Sequence, residues 1–301
     1  MNEELLRIVV SPEESGLTVR DLLQKNYGVS RRLLISAKYS GVISRNGTLV
    51  YVNEKVAEGD VIQVTLPDES AETLEPEPMS LVIRYEDEDL LLIAKPPGLV
   101  VHPTRTHPNG TLANGVVAYW LAKGESRKFR PINRLDKDTS GLLLVAKNQW
   151  AHEQCSRMQQ DKTMKRTYQA IVHGVVAEDQ GLIDAPIGLK ETSIIEREVR
   201  EDGQSARTHF TVLARGNEAT WVELSLETGR THQIRVHMNY LGHPLLGDDL
   251  YGGIRNEIGR QALHAVRLQF NHPRTKQIQI FTDPLPDDMA ELVRKIKQKK
   301  L

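Results

Sequence analysis

Asn133-Arg134-Leu135-Asp136-Lys137-Asp138-Thr139-Ser140-Gly141 runs without a break into Leu142-Leu143-Leu144-Val145-Ala146. The second half is a short apolar run of the kind that forms a strand buried on both faces. The first half is a dense polar loop at its mouth, and loops mounted on rigid strands are where binding and catalytic groups sit. Turn chemistry accounts for part of it: Asp138, Thr139 and Ser140 can bond their own backbone, and Gly141 supplies a permissive angle. Arg134 and Asp136 are not explained that way, because two opposite charges flank one leucine immediately before a core strand.

Similar β-rich runs recur at 90–94, 168–172, 221–226 and 278–281, and helices are expected over 112–121, 151–160 and 289–299. Strands and helices do not alternate regularly, and neither Gly-x-Gly-x-x-Gly nor a Walker A sequence occurs, which speaks against a doubly wound nucleotide-binding sheet. The pattern predicts an α+β fold with a mixed, mainly antiparallel central sheet. Residues 12–66 read as a separate small α/β module: Thr18 and Asp21 stand at capping spacing before Leu22 and Leu23, Ser30 caps a helix over 31–39, and Gly41 ends it. Residues 67–79, with Pro67, Pro76, Pro78 and several acids, read as a stiff polar linker, so a larger unit spans 80–301 and is expected to fold without the module.

The bulk numbers narrow the class. The chain has 301 residues, 39% hydrophobic and 26% charged, which suits a globular protein with one large unit and an appendage. No apolar run reaches the length of a membrane span, and the amino terminus carries acids where a secretory signal would be basic, so a cytoplasmic monomer is expected. Cys155 is the single cysteine and reads as a passive thiol, with no partner for a disulfide or a zinc site. His232, His237, His243 and His264 are too irregularly spaced for a metal and read as hydrogen-bonded structural histidines. Net charge is -1, but basic residues collect at 20–45 while acids crowd 68–89, an asymmetry that permits an RNA-facing surface on a neutral protein.

Arg134-Leu135-Asp136-x-x-Thr139-Ser140-Gly141-Leu142 resembles the signature of RluA-type pseudouridine synthases, which modify ribosomal large-subunit RNA. The likeness extends in order from about residue 90 to 273. Lys95-Pro96-Pro97-Gly98-Leu99-x-Val101-His102-Pro103 is similar to the family's preceding motif, and Lys165-Arg166-Thr167-Tyr168 to its second. The third is the run from Thr228-Gly229-Arg230-Thr231-His232-Gln233-Ile234-Arg235 to Gly247-Asp248-x-x-Tyr251-Gly252, followed by Leu263-His264-Ala265. One position departs: where the family commonly has His stands Asn133, an amide that keeps hydrogen bonding but cannot titrate near neutrality. Residues 12–66 resemble the S-four-type RNA-binding domain of ribosomal proteins through Val19-Arg20-Asp21-x-Leu23, Ser30-Arg31-Arg32 and Val56-x-x-Gly59-Asp60.

The resemblance implies an isomerisation of uridine to pseudouridine in structured RNA, ribosomal or transfer, with no cofactor and no metal. It makes Asp136 the nucleophile, attacking ribose C1′ or base C6. Arg235 is the expected cation beside it, with Arg230 as the alternative, since a nearby positive charge opposes the rise in pKa that burial imposes on a carboxylate. Tyr168 would stack on the base and serve proton transfer from C5, Ile234 and Leu263 would wall the pocket, and Arg134 would fill the gap left by the flipped base. Arg20, Arg31, Arg32, Lys38 and Arg45 would contact phosphates. Two rivals differ in class. A magnesium phosphotransferase using Asp136 and Asp138 would need Asp-x-Asp-x-Thr, and Thr139 comes one place early; a noncatalytic RNA-binding protein would have no reason to keep Asp136, Tyr168 and Arg235 together.

Overall fold

The computed structural model describes residues 2–67 and 74–301. At the amino-terminal end, strands Asn2–Val9 (β1), Val42–Arg45 (β2), Thr48–Leu49 (β3) and Val61–Pro67 (β4) form a sheet of order β1-β4-β2-β3. A short helix Val19–Asp21 (α1), continued by a π-helical turn over Leu22–Asn26, and a longer helix Arg31–Tyr39 (α2) pack on it. Thr18 and Ser30 cap these helices by accepting from the backbone N–H of Asp21 and Leu33, which satisfies donors that a helix start leaves open. The module thus begins before residue 12: β1 pairs with β4 from Asn2 to Val9, and its opening acids hide a strand whose Leu6 and Ile8 are buried.

The larger part begins with strands Val82–Glu86 (β5) and Leu90–Lys95 (β6), followed by helix Leu112–Ala122 (α3), strands Arg130–Pro131 (β7) and Ser140–Ala146 (β8), and helix Gln149–Gln160 (α4). Strands Lys165–His173 (β9), Gln180–Asp184 (β10), Ile187–Leu189 (β11), Arg197–Val199 (β12), Arg207–Arg215 (β13) and Ala219–Leu226 (β14) come next. Helix Gln233–Tyr240 (α5), strands Leu263–Asn271 (β15) and Ile278–Thr282 (β16), and helix Asp287–Lys297 (α6) complete it. A ten-stranded sheet runs β10-β13-β14-β9-β15-β8-β6-β5, with β16 beside β15 and β7 beside β8. All its pairings are antiparallel except β15 with β8. The expected α+β class with a mixed, mainly antiparallel sheet is the class observed.

The runs 90–94 of β6 and 142–146 of β8 are apolar at every position because both faces of the sheet are covered there. Side chains alternate between faces along a strand. Leu90, Leu92, Leu142, Leu144 and Ala146 face one core, which also holds Trp150 and Cys155 of α4 and the apolar residues of the amino-terminal module. Leu91, Ile93, Leu143 and Val145 face the other, filled by α3, Tyr168, Ile234 and Leu263. Burial pushes the Cys155 thiol up to about 12, so it stays protonated and unreactive.

The module is therefore docked on the back of the catalytic sheet rather than hung beside it. Trp150 Nε1 donates to the Tyr27 carbonyl at 2.8 Å, Gln154 Nε2 to the Gly28 carbonyl at 2.9 Å, and the Ser30 hydroxyl to Glu153 at 3.0 Å. Removing the module would strip the cover from Trp150, Leu268 and Phe270. Of the stretch 67–79 expected to be a linker, residues 68–73 lie outside the described residues. Residues 74–79 lie along α3: Asn114 Nδ2 donates to the Glu75 carbonyl, and a Cβ on Gly115 would collide with Met79. No helix among the described residues is long and apolar enough to cross a membrane.

Candidate active site

The loop between β7 and β8 is pinned from several sides. Lys95, buried at the end of β6, donates from Nζ to the carbonyls of Pro96, Leu99 and Lys137 at 2.8–2.9 Å. Burial pushes its pKa down to about 7, with Asp138 and Asp136 opposing. Three carbonyl acceptors need all three protons of an ammonium, so the charged form is the one this site is built to hold. Arg260 Nη1 donates to the Asp138 carbonyl, Gln261 Nε2 to the Thr139 hydroxyl, and Ser140 Oγ lies 2.9 Å from His264 Nδ1. Gly141 has φ +108° and lies so close to Ala265 that any Cβ would strike its backbone, which fixes glycine at the β8–β15 crossing. Asn133 is buried and uses its amide as a strand substitute, donating to the Leu142 carbonyl and accepting from Leu144 N–H. Its position rewards hydrogen bonding, with no contact that calls for a titrating ring.

Within that loop Leu135 is buried in the core, Arg134 is exposed and Asp136 is half-buried. Asp136 keeps 26% of its side chain exposed, and Arg235 Nη1 donates to its Oδ2 at 3.0 Å. Arg235 comes from α5, 99 residues later in the chain. It is oriented by Asp248, a carboxylate with no exposed surface, which accepts from Nε and Nη2 at 2.7 Å each. This is the planar two-point geometry that only a guanidinium provides. Burial works against the charge on Arg235, but Asp248 and Asp136 outweigh it and hold its pKa above the ordinary value. The Tyr251 ring lies 4.9 Å from the guanidinium carbon.

Tyr168 sits in the middle of β9, opposite Leu224 on one side and Ala265 on the other. It is buried with Ile234 and Leu263 in the core on the Asp136 side of the sheet. Burial raises its pKa, Arg166 opposes the rise and Asp136 adds to it, so the side chain is a neutral phenol. Arg230 is exposed and turned away from Asp136, its Nε donating to the Ser205 carbonyl at 3.0 Å. Asp136, Tyr168, Ile234, Arg235 and Leu263 therefore gather on one side of the sheet, whereas Arg134 and Arg230 stand on the surface. His237 and His264 bond neighbouring oxygens in the core, and His243 bonds the His173 carbonyl.

On the module, Arg20, Arg31, Arg32 and Lys38 are exposed, and a groove of about 380 Å³ runs between Arg20, Arg31, Lys38 and Tyr39. Arg45 stands apart from this group, paired with Glu54 and the Lys55 carbonyl. Part of the acidic stretch is also spoken for. Glu86 pairs with Lys123 and Lys147, and the fully buried Asp89 accepts from Arg274 and Asn148.

Sequence reasoning gives no role to Asp248, Tyr251 or Lys95 and reads His232 as a structural histidine, although each stands inside one of the motifs. A charged residue embedded among apolar or glycine-rich neighbours is the available signal, since such groups are buried only when paired.

Residues 89–240 match the family described as RNA pseudouridylate synthase. An RNA pseudouridine synthase of Bacillus subtilis is 49% identical over 269 residues, covering 89% of this chain and 95% of that protein. A ribosomal large subunit pseudouridine synthase D of Nitrosomonas europaea is 38% identical, covering 98% of this chain and 89% of its own length. Among solved structures, human RNA pseudouridylate synthase domain containing 1 superposes with a TM-score of 0.57 at 27% identity, covering 73% of this chain and 97% of that one.

Proposed function

The chain belongs to the RluA-type RNA pseudouridine synthase family, and we propose that it isomerises specific uridines of large-subunit ribosomal RNA with Asp136 as the nucleophile. One observation carries the reading. Asp136 presents a partly exposed carboxylate whose Oδ2 is held by Arg235 while Oδ1 has no hydrogen-bond partner among the described residues.

The chemistry needs little else. The bond from ribose C1′ to N1 breaks, the base turns, and C1′ bonds to C5; C5 loses a proton and N1 gains one, so nothing is oxidised or reduced and no cofactor is called for. Oδ1 attacks either C1′ or C6, and in both cases Arg235 keeps the carboxylate ionised and aimed. Extracting the base from its stack costs a few kcal/mol, roughly what a flat stacking partner and a filled gap can return. Tyr168 supplies the stacking surface. As a neutral phenol it takes the C5 proton while its own hydroxyl proton leaves to solvent, from which N1 is protonated. Ile234 and Leu263 wall the pocket, Arg134 fills the space the base vacates, and Arg230 contacts a phosphate.

The amino-terminal module, read as an S-four-type domain, carries a second RNA contact on the opposite face of the sheet. With Arg31→Glu and Lys38→Glu combined, RNA affinity should fall and the slope of log affinity against log salt should flatten by about 0.7–0.9 for each phosphate no longer neutralised. Filter binding across a salt series reads this; equal affinity with an unchanged slope removes the module from the RNA interface. The enzyme is read as a cytoplasmic monomer, where ribosomal RNA is its substrate.

The test of the function is a pseudouridine map of ribosomal and transfer RNA from cells lacking this protein. One or more large-subunit positions should revert to uridine, and the purified protein should restore them on that RNA in vitro. A map with no missing site in either RNA contradicts the proposed activity, and changes confined to transfer RNA replace the proposed substrate.

A further inference from the structure

His232 lies at the start of α5 with φ +58°. A non-glycine residue in this left-handed region is uncommon, and it persists where the surroundings over-determine it. Four other described residues share the conformation (Asn46, Lys162, Lys276 and Lys299), and all four are exposed. His232 is instead largely buried, with 16% of its side chain exposed, and its Nε2 lies 3.9 Å from Asp136 Oδ2.

The far side of the ring is fixed by Tyr251. The Tyr251 hydroxyl accepts the Arg197 N–H at 2.9 Å and lies 2.7 Å from His232 Nδ1. Its own proton has no other acceptor among the described residues, so it goes to Nδ1. A neutral imidazole that accepts at Nδ1 carries its proton on Nε2, which is the nitrogen facing Asp136. The groups around the ring are Asp136, Arg235, Asp248, Arg197 and Tyr251. Burial is the largest influence on the imidazole and lowers its pKa, which agrees with the neutral form.

We infer that His232 is a positioning residue for the nucleophile, its Nε2–H, set by the Tyr251 hydroxyl, closing onto Asp136 Oδ2 when RNA occupies the cleft. The 3.9 Å separation is about 1 Å longer than a hydrogen bond, and such contacts commonly tighten only in the substrate complex. Arg235 and His232 then hold Oδ2 from two directions and leave Oδ1 free to attack. The inference rests on Asp136 being the nucleophile.

His232→Gly is the informative variant, since glycine adopts a positive φ without strain, which offsets part of the stability lost with the buried ring. Its single-turnover rate on the target RNA should fall about 10- to 100-fold, the size of one hydrogen bond to a charged group, while RNA affinity stays within about twofold. Imidazole added to the solution should refill the space and restore the rate saturably. Tyr251→Phe should slow the native enzyme but add nothing in the His232→Gly background, the non-additivity expected of a pair acting as a unit. A native rate in His232→Gly overturns the inference, as does a slowing that imidazole leaves untouched and to which Tyr251→Phe adds in full. Failure of the premise shows elsewhere, as product made by an Asp136 variant.

Discussion

Arg235→Met should lose turnover and stability together, and the two losses should come apart in a second variant. The stability loss follows from Asp248, which has no exposed surface and is bonded twice by Arg235. Removing the cation leaves a buried carboxylate without a partner, at a cost of roughly 3–5 kcal/mol. The activity loss follows from Asp136, whose Oδ2 loses its donor, and should reach about 10²- to 10³-fold in the single-turnover rate. Arg235→Met combined with Asp248→Leu removes both charges, so most of the stability should return while the rate stays low. Arg235→Lys should behave like the single methionine variant in rate, because an ammonium cannot bond Asp248 in two-point fashion and reach Asp136 as well. Urea midpoints and single-turnover assays on the native protein and these three variants read the outcome. Native stability in Arg235→Met would show that the Arg235–Asp248 pair is not what seats the guanidinium.

The parts of the fold legible in the sequence are those where local signals and burial agree. α2 has an N-cap at Ser30 and ends just before Gly41, and it forms over Arg31–Tyr39 as its spacing predicts. β6 and β8 announce themselves because both faces are buried and no polar residue interrupts their apolar runs. α6 starts two residues before the expected 289 and stops two before 299, its first turn carrying Asp287 and Asp288. The rest depended on partners out of view. α5 reads Gln-Ile-Arg-Val-His and has weak helix propensity; it is held by Gln233, whose carbonyl oxygen accepts from Arg230 N–H and the Thr228 hydroxyl while its amide donates to the Arg207 carbonyl and Thr208. β13 alternates apolar and polar residues because much of it faces water, so its run never became continuous. Docking of the module on α4 left no local mark, since Trp150 and Gln154 look like ordinary helix residues until Tyr27 and Gly28 meet them.

The site divides along the same line. Asp136, Tyr168 and Arg235 stand out through motifs whose order along the chain matches the family, and they lie close together on one side of the sheet. The groups that act through them do not stand out. Asp248 and Tyr251 touch Arg235 rather than the cleft, and His232 reads as a structural histidine because nothing in the chain shows that its ring faces a carboxylate 96 residues upstream.

Asp136→Asn tests the central claim most directly. The amide keeps the size of the side chain and its hydrogen bonding but cannot act as a nucleophile. The basic surface of the module, the Tyr168 ring and the apolar walls are untouched, so RNA affinity should stay within a few-fold of native. Removing a group that forms the covalent bond should lower the rate by at least about 10⁴-fold, and Arg235→Met added to Asp136→Asn should slow it no further. The measurement is single-turnover pseudouridine formation on the target RNA, with Asp136→Ala alongside to exclude product made by deamidated asparagine. The account predicts bound RNA and no product from either variant; pseudouridine formed by Asp136→Ala at a rate near native would contradict it.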